Sequence, residues 1–433
     1  MIKYLIVFFL SIYSITSLAQ INKSQVLIYG DSEASWAAAV QSARSGVKTL
    51  WLRNKKDIGN HFTGGEHIQI NSNDGLDAGL WAEFLSKNRN AVTPSDSISN
   101  VAKQDLNPQV ARNVFTGITD TLKNLTIVFN TDIKNIKKSR KQWRVTLSTN
   151  ETLKVSSIVD GSDDGKLLAL INEKDLSKPD IKNGLITATD IYENNLYRTG
   201  LVVFEKETGP TVIPASLVLT TPAENIFIIN QYPWLGKDKQ TDVNNLPILI
   251  QSGQAIGASA AYCAFFETTV DEINIRTLQG ELLTYHGQIL PFQDIDLIDI
   301  HFSEIQRIAA VGILKGEITK NGSTLVHFNP DKSVSSKEIQ PIILNLYSRS
   351  QIWFSEKKIE QLKVNDLLSL LKFTALKGDE LDADVEKGWT QRFHFTGEYD
   401  ATAILTRRQV AVLMDYYLKP FNVKVDNEGG FKY

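Results

Sequence analysis

The sequence predicts an α/β fold followed by a mainly helical C-terminal domain, and three observations carry that reading. Residues 26–52, "VLIYGDSEASWAAAVQSARSGVKTLWL", read as a strand, a tight turn, an alanine-rich helix and a second strand. Further β-branched or alternating runs predict strands at Leu125–Phe129, Trp143–Ser148, Leu153–Val159 and Ile226–Asn230, beside Val26–Tyr29 and Thr49–Leu52. After Thr284 the pattern changes to a helix, a Gly-bearing turn, a loop and another helix. With 433 residues, 42% of them hydrophobic, the chain can bury a sizeable core and divides into two or three domains.

The first element is a leader. "MIKYLIVFFLSIYSITSLAQ" has a lone Lys3, an apolar run from Tyr4 to Tyr13, and the small-residue pattern Ser17-Leu18-Ala19 before Gln20. This is the pattern of a signal peptide over residues 1–19, cleaved after Ala19. The apolar stretch is short of the roughly 20 residues a membrane span needs, so no transmembrane segment is expected after cleavage. Export places the chain in the periplasm, on the cell surface or in the medium. The single Cys263 leaves no internal disulfide. A net charge of −3 argues against nucleic acid as a partner on global charge.

Next comes the turn Gly30-Asp31-Ser32-Glu33-Ala34-Ser35, with one glycine where dinucleotide loops carry three. The helix behind it places Ala38, Ala39, Ser42 and Ala43 near one face, where small side chains let a helix lie close to a sheet, and Gly46 ends it. Further on, several antiparallel strands return to an apolar strand ending at Val159-Asp160-Gly161. In "LPILIQSGQAIGASAAYCAFF" the residues Gly253, Gly257 and Ala261 recur every four positions. Such a smooth stripe serves either backbone packing or a flat ligand.

Together these segments resemble the FAD-dependent oxidoreductases of the glutathione-reductase-like fold, in particular a secreted bacterial group labelled xanthan-lyase-like. The family's G-G-T-P-A-G loop is similar to Gly30–Ser35, and its L-G-G-x-x-T-x-G loop to Ile58-Gly59-Asn60-His61-Phe62-Thr63-Gly64-Gly65. Its D-A-T-G-D-G motif resembles Asp160-Gly161-Ser162-Asp163-Asp164-Gly165, and its last helix start resembles Asn244 to Gly257. The four pieces keep their order over residues 25–266. The resemblance implies an FAD/NAD(P)-binding three-layer β-β-α domain with a reduced second domain. It implies cofactor contacts from Gly30, Ser32 and Ser35 at the pyrophosphate, from Arg53, Gly59, Thr63 and Gly64 in the neighbouring loops, from Asp164 and Gly165 near the ribityl chain, and from Gly253, Gln254 and Gly257 at the flavin end. The C-terminal region resembles S-layer homology modules through Phe292-Gln293-Asp294-Ile295, Gly312-Ile313-Leu314-Lys315-Gly316 and Phe328-Asn329-Pro330-Asp331, with Ser336-Lys337-Glu338 standing in for the module's helix start and Thr406-Arg407-Arg408-Gln409 opening the equivalent helix of a degraded second copy. The implied organisation is a leader over 1–19, an oxidoreductase-like domain over 20–284, and an S-layer-homology-like helical domain over 285–433.

The departures bear on chemistry. Asp31 and Glu33 put two carboxylates around a helix N-terminus that should receive a diphosphate. Leu52-Arg53-Asn54 stands where a carboxylate normally takes the ribose hydroxyls, so Arg53 reads either as a partner for a phosphorylated ribose or as a surface residue. No catalytic residue stands out: the six histidines lack metal-ligand spacing, and His61 and His67 merely flank the Thr63–Gly65 turn. Two functions remain open on the sequence. One is an exported FAD-dependent oxidoreductase acting on a small or carbohydrate-type substrate. The other is a cofactor-free descendant that binds or scaffolds at the cell surface, in contact with a glycan or a cell-wall polymer.

Overall fold

The computed structural model describes residues 24–59, 61–71, 75–162, 165–176, 184–206, 209–229, 242–321 and 323–433, so the expected leader and Asp164 lie outside the described residues. The chain forms two compact units, the first within 24–71, 77–184 and 215–287, the second within 75–76, 185–214 and 288–433. The strip 185–214, read above as part of the 20–284 domain, therefore belongs to the second unit. Its hydrogen bonds explain why. Arg198 Nε donates to Val311 O at 3.2 Å and its Nη1 to Gly429 O at 3.0 Å, while Gly316 N donates to Tyr192 Oη at 2.7 Å.

In the first unit, β1 (Val26–Tyr29), α1 (Glu33–Arg44) and β2 (Thr49–Arg53) follow the predicted order. Three helices come next, α2 (Gly79–Asn88), α3 (Asp96–Gln104) and α4 (Pro108–Asp120), then β3 (Leu125–Phe129). An antiparallel meander of β4 (Ile133–Ser139), β5 (Gln142–Leu147) and β6 (Thr152–Val155) leads to β7 (Ser157–Asp160). The unit closes with β8 (Ile226–Ile228), α5 (Leu246–Phe265) and α6 (Ile275–Thr284). The parallel sheet has the order β8-β7-β1-β2-β3. Its central strands are buried on both faces, which is why "VLIY" and "TLWL" read as unbroken apolar runs.

The run Leu153–Val159, expected as one strand, is two. Val155 pairs with Trp143 in the meander, whereas Ser157 pairs with Val26 in the parallel sheet. Ser156 marks the crossing, its N–H donating to Gln25 O at 2.7 Å. Periodicity sees only the apolar run, because both halves are apolar. The meander covers one face of the sheet, where Leu27, Leu50 and Ile158 share a core with Ile136, Trp143 and Leu153. Helices α1 and α5 cover the other, giving three layers.

Those two helices touch at their backbones. A Cβ on Gly253 would stand 2.2 Å from Ala34 O, and one on Gly257 would stand 2.4 Å from Ala38 O. Helices α2 and α4 attach to α1 through an aromatic cluster: Trp36 meets Phe115 edge-on at 4.7 Å, and Phe84 stacks on Phe115 at 4.6 Å. A buried ion pair at 2.6 Å joins Lys103 to Asp77, which also accepts from Trp81 Nε1 at 2.7 Å.

In the second unit, α7 (Phe302–Val311) ends at Gly312, whose φ of +95° suits a residue without a Cβ. The loop expected next is an antiparallel hairpin, Glu317–Asn321 with Ser323–His327. Helices α8 (Ser336–Leu346), α9 (Ser350–Glu356), α10 (Val364–Ala375), α11 (Glu380–Gly388) and α12 (Arg407–Leu418) follow. Thr406 and Gln409 form a capping box at the start of α12. Asp294 accepts from the N–H groups of Phe328 at 2.8 Å and Asn329 at 2.6 Å. Buried Arg407 donates to Phe328 O at 2.6 Å and Lys315 O at 2.5 Å, and pairs with Glu338. The motif residues of this region thus close its own turns.

We predict that Gly253→Ala and Gly257→Ala each destabilise the protein by about 1–3 kcal/mol, because an added methyl must push two helix backbones apart. Urea unfolding followed by far-UV circular dichroism measures this. An unchanged midpoint for both variants would show that the helix seam has room the geometry does not suggest.

Candidate functional site

The sequence-predicted site residues gather mostly at the carboxyl edge of the parallel sheet, where β1, β2, β3 and β7 release their loops. Open α/β sheets place ligands at this edge. Gly30 has φ of +127°, and a Cβ on it would lie 2.4 Å from Gly161 O. Gly161 N donates to Tyr29 O at 2.7 Å, and a Cβ on Gly161 would meet Ser35 Oγ at 1.9 Å. Gly30, Ser35 and Gly161 therefore interlock, and neither glycine position can accept a side chain. Ser32 caps α1: its Oγ accepts from Ser35 N at 3.1 Å and lies 2.8 Å from Ser35 Oγ.

The two carboxylates of the turn point to different partners. Asp31 Oδ1 accepts from the N–H groups of Asn54 and Lys55, both at 3.0 Å, and stands 3.8 Å from Arg53 Nε. Arg53 is buried, with its guanidinium 4.5 Å from the Trp51 ring and 5.3 Å from the Phe129 ring. It also donates to Lys56 O at 3.0 Å. Burial lowers its pKa, against the pull of Asp31 and Asp57. The structure thus gives Arg53 neither the surface position nor an open face toward a ribose phosphate; it ties down the loop after β2.

Glu33 turns the other way. Its carboxylate lies between the first turn of α1 and the loop at Gly59, where a Cβ on Gly59 would stand 1.8 Å from Oε1. Gly59 has φ of +72° and donates its N–H to Asp31 O at 2.5 Å. His61 Nδ1 approaches Glu33 Oε1 at 2.9 Å, and His61 N donates to the same oxygen at 3.4 Å. Both side chains are 3% exposed. His61 Nε2 is also buried and has no hydrogen-bond partner among the described residues.

The other predicted positions separate. Gly165, with φ of +64°, opens a 3-10 turn over Lys166–Leu170. Asp160 holds that turn from a fully buried position, accepting from Ser162 N at 3.0 Å, Ser162 Oγ at 2.6 Å and Leu167 N at 3.1 Å. Thr63 and Gly64 stand on an exposed loop, and a Cβ on Gly64 would touch nothing within 4 Å. Gly253 and Gly257 line the α1–α5 seam. Gln254 beside them accepts from Leu80 N at 2.9 Å and donates to Gln41 Oε1 at 3.0 Å.

One cluster at this edge is absent from the sequence reading. Tyr29 Oη donates to Asp132 Oδ1 at 2.7 Å, and Lys166 Nζ lies 3.1 Å from the same oxygen and 3.2 Å from Tyr29 Oη. Burial and then the Asp132 bond raise the Tyr29 pKa; the bonds from Tyr29 and Lys166 hold Asp132 low. The bonds to Tyr29 and Asp132 raise Lys166. Each residue ends or follows a different strand, and only the β7-β1-β2-β3 order brings them together. The one available signal is that Tyr29 and Asp132 sit at strand ends. Among the described residues no group of three His, Cys, Asp or Glu side chains could hold a metal.

Comparison with known proteins agrees with this edge. Residues 25–172 match the family model described as FAD dependent oxidoreductase, a segment running from β1 past β7 and the turn at Gly165. The fold is accordingly the FAD/NAD(P)-binding type of α/β fold with a helical C-terminal region, and the match supports FAD as its cofactor. No curated protein matches the chain. Among solved structures, THI4 of Thermovibrio ammonificans is similar at 12% identity and a TM-score of 0.37, over 60% of this chain and 96% of that one. The bacillithiol disulfide reductase Bdr of Staphylococcus aureus is similar at 16% identity and a TM-score of 0.23, over 33% of this chain and 38% of that one. A structure of OTEMO in complex with FAD and NADP gives 15% identity and a TM-score of 0.23, over 37% of this chain and 28% of that one.

The residues present fit this cofactor in frame only. The Gly30 turn and the capped start of α1 are in place, but the Glu33 carboxylate already stands against the helix start and the Gly59 loop. A diphosphate there would face a buried negative charge at close range, a repulsion of about 4 kcal/mol at an effective dielectric near 20. While Glu33 holds this position the site does not fit a diphosphate.

At the neighbouring cluster we predict that Asp132→Asn lowers stability by less than about 1 kcal/mol at neutral pH, since both Asp132 and Lys166 are partly exposed. The folded pKa of Asp132 is depressed, so its contribution is present above the unfolded carboxylate pKa and is lost as pH falls through the folded value. Parent and variant stabilities should converge on acidification. A difference that persists unchanged in acid would refute this assignment.

Proposed function

We propose that the chain is an exported FAD-dependent oxidoreductase whose substrate is a small or carbohydrate-type molecule. The family match over residues 25–172 carries this reading, because it takes in β1, the Gly30 turn, α1, β2, β7 and the Gly165 turn as one ordered set. Export is supported by the leader pattern of residues 1–19. No described helix is long and apolar enough to cross a membrane. The S-layer-like motifs support contact with a glycan or cell-wall polymer through the C-terminal region, although Asp294 and Arg407 are engaged within their own unit.

A second reading, a cofactor-free descendant serving as a binding or scaffold protein at the cell surface, is favoured by one observation. Glu33 and His61 are buried as a pair at the start of α1, the kind of helix start that receives a diphosphate in dinucleotide folds. Absorbance of the purified mature protein, before and after incubation with FAD and removal of free ligand, separates the two. Flavin bands near about 370 and 450 nm retained on the protein support the oxidoreductase, since the flavin supplies the redox chemistry. A folded protein that stays colourless supports the scaffold. Export has its own test: N-terminal sequencing of protein expressed with its leader should begin at Gln20, and an intact Met1 in the exported fraction would refute cleavage.

A further inference from the structure

Glu33 is buried in the place where this fold receives an external anion, and its surroundings are those of an anion site. The start of a 12-residue helix lies behind it, with Ser32 as cap. Gly59 leaves room for the carboxylate that any Cβ would fill. The His61 backbone N–H and Nδ1 both reach Oε1, at 3.4 Å and 2.9 Å. The imidazole is 3% exposed, and its Nε2 has no partner among the described residues. Asp31 does not compete for this position, being committed to the N–H groups of Asn54 and Lys55.

We propose that Glu33 is a built-in anion that fills the phosphate position of this fold from within, so that removing its carboxylate opens a site for a phosphate or diphosphate group. The chemistry is complementarity of charge and volume. The His61 N–H and imidazole nitrogen reach one oxygen beside the start of α1, and such donors bind a phosphate oxygen as readily as a carboxylate oxygen. A diphosphate ligand reaches the parent protein only when Glu33 swings out, so the residue acts as an internal competitor. The inference rests on the flavoprotein reading only for the identity of the external ligand; the anion position is a property of Glu33, Gly59 and His61.

The test titrates inorganic pyrophosphate, and separately FAD, into the parent, Glu33→Ala and Glu33→Gln. Isothermal calorimetry reads affinity, and circular dichroism confirms folding. Glu33→Ala should bind pyrophosphate at least about tenfold more tightly than the parent, a floor well below the close-range repulsion of two unit charges. Glu33→Gln, which removes the charge and keeps the volume, should gain less. FAD retained after desalting by Glu33→Ala and not by the parent supports the inference and the cofactor-free reading of the parent, with FAD as the ligand that Glu33 displaces. Pyrophosphate binding without FAD binding in Glu33→Ala supports the inference and removes FAD as the ligand. Equal FAD affinity in parent and Glu33→Ala upholds the flavoprotein and overturns the inference. The inference also falls if both variants fold and neither gains pyrophosphate affinity, or if neither variant folds, since Glu33 would then be a folding residue.

Discussion

The backbone contact between α1 and α5 is the constraint on which the first unit depends. Gly253 and Gly257, one helical turn apart, meet Ala34 and Ala38 at the same spacing, and at each crossing the missing Cβ is what lets the axes approach. Because Ala34 lies in the first turn of α1, this seam also locates the helix start. The Gly30 turn is then closed from the other side by Gly161, at the end of the neighbouring strand. A stripe of small residues that is equally suitable for a flat ligand is here used for packing.

With its frame held, the sheet edge becomes a question of where charge can reside. Three of the carboxylates described there are each satisfied differently. Asp160 is fully buried and spends its oxygens on the turn that leads to Gly165. Asp31 binds two N–H groups and lies beside a cation held between aromatic rings. Glu33 shares its environment with a histidine and is shielded from water. Buried carboxylates persist only where N–H groups, cations or polarised rings replace their hydration, and Asp160 and Glu33 meet that demand. The electrostatic environment of this edge is therefore supplied from within the chain, in the region where the fold usually receives it from a bound nucleotide.

The second unit shows the same economy in its motifs. Asp294 and Arg407 lie far apart in sequence, yet both bind the segment that begins at Phe328. Thr406 and Gln409 satisfy one another at the start of α12. Motif residues whose spacing suggests a recognition surface are here occupied in closing loops and capping helices.

The sequence by itself determined the elements whose causes are local. The apolar runs of β1 and β3, the alanine-rich helix and the capped start of α12 follow from side-chain periodicity and from residues that satisfy nearby backbone groups. The order of the motif segments also determined the α/β fold. Tertiary structure decided everything that depends on which strand ends are neighbours. It divided Leu153–Val159 between two sheets at Ser156, sent 185–214 to the second unit, buried Arg53 between Trp51 and Phe129, and assembled Tyr29, Asp132 and Lys166. It also decided which way Glu33 points. A carboxylate at the start of a helix is favourable in either direction on local grounds, and only the Gly59 loop and His61, more than twenty residues away in sequence, make the inward position the one that is filled.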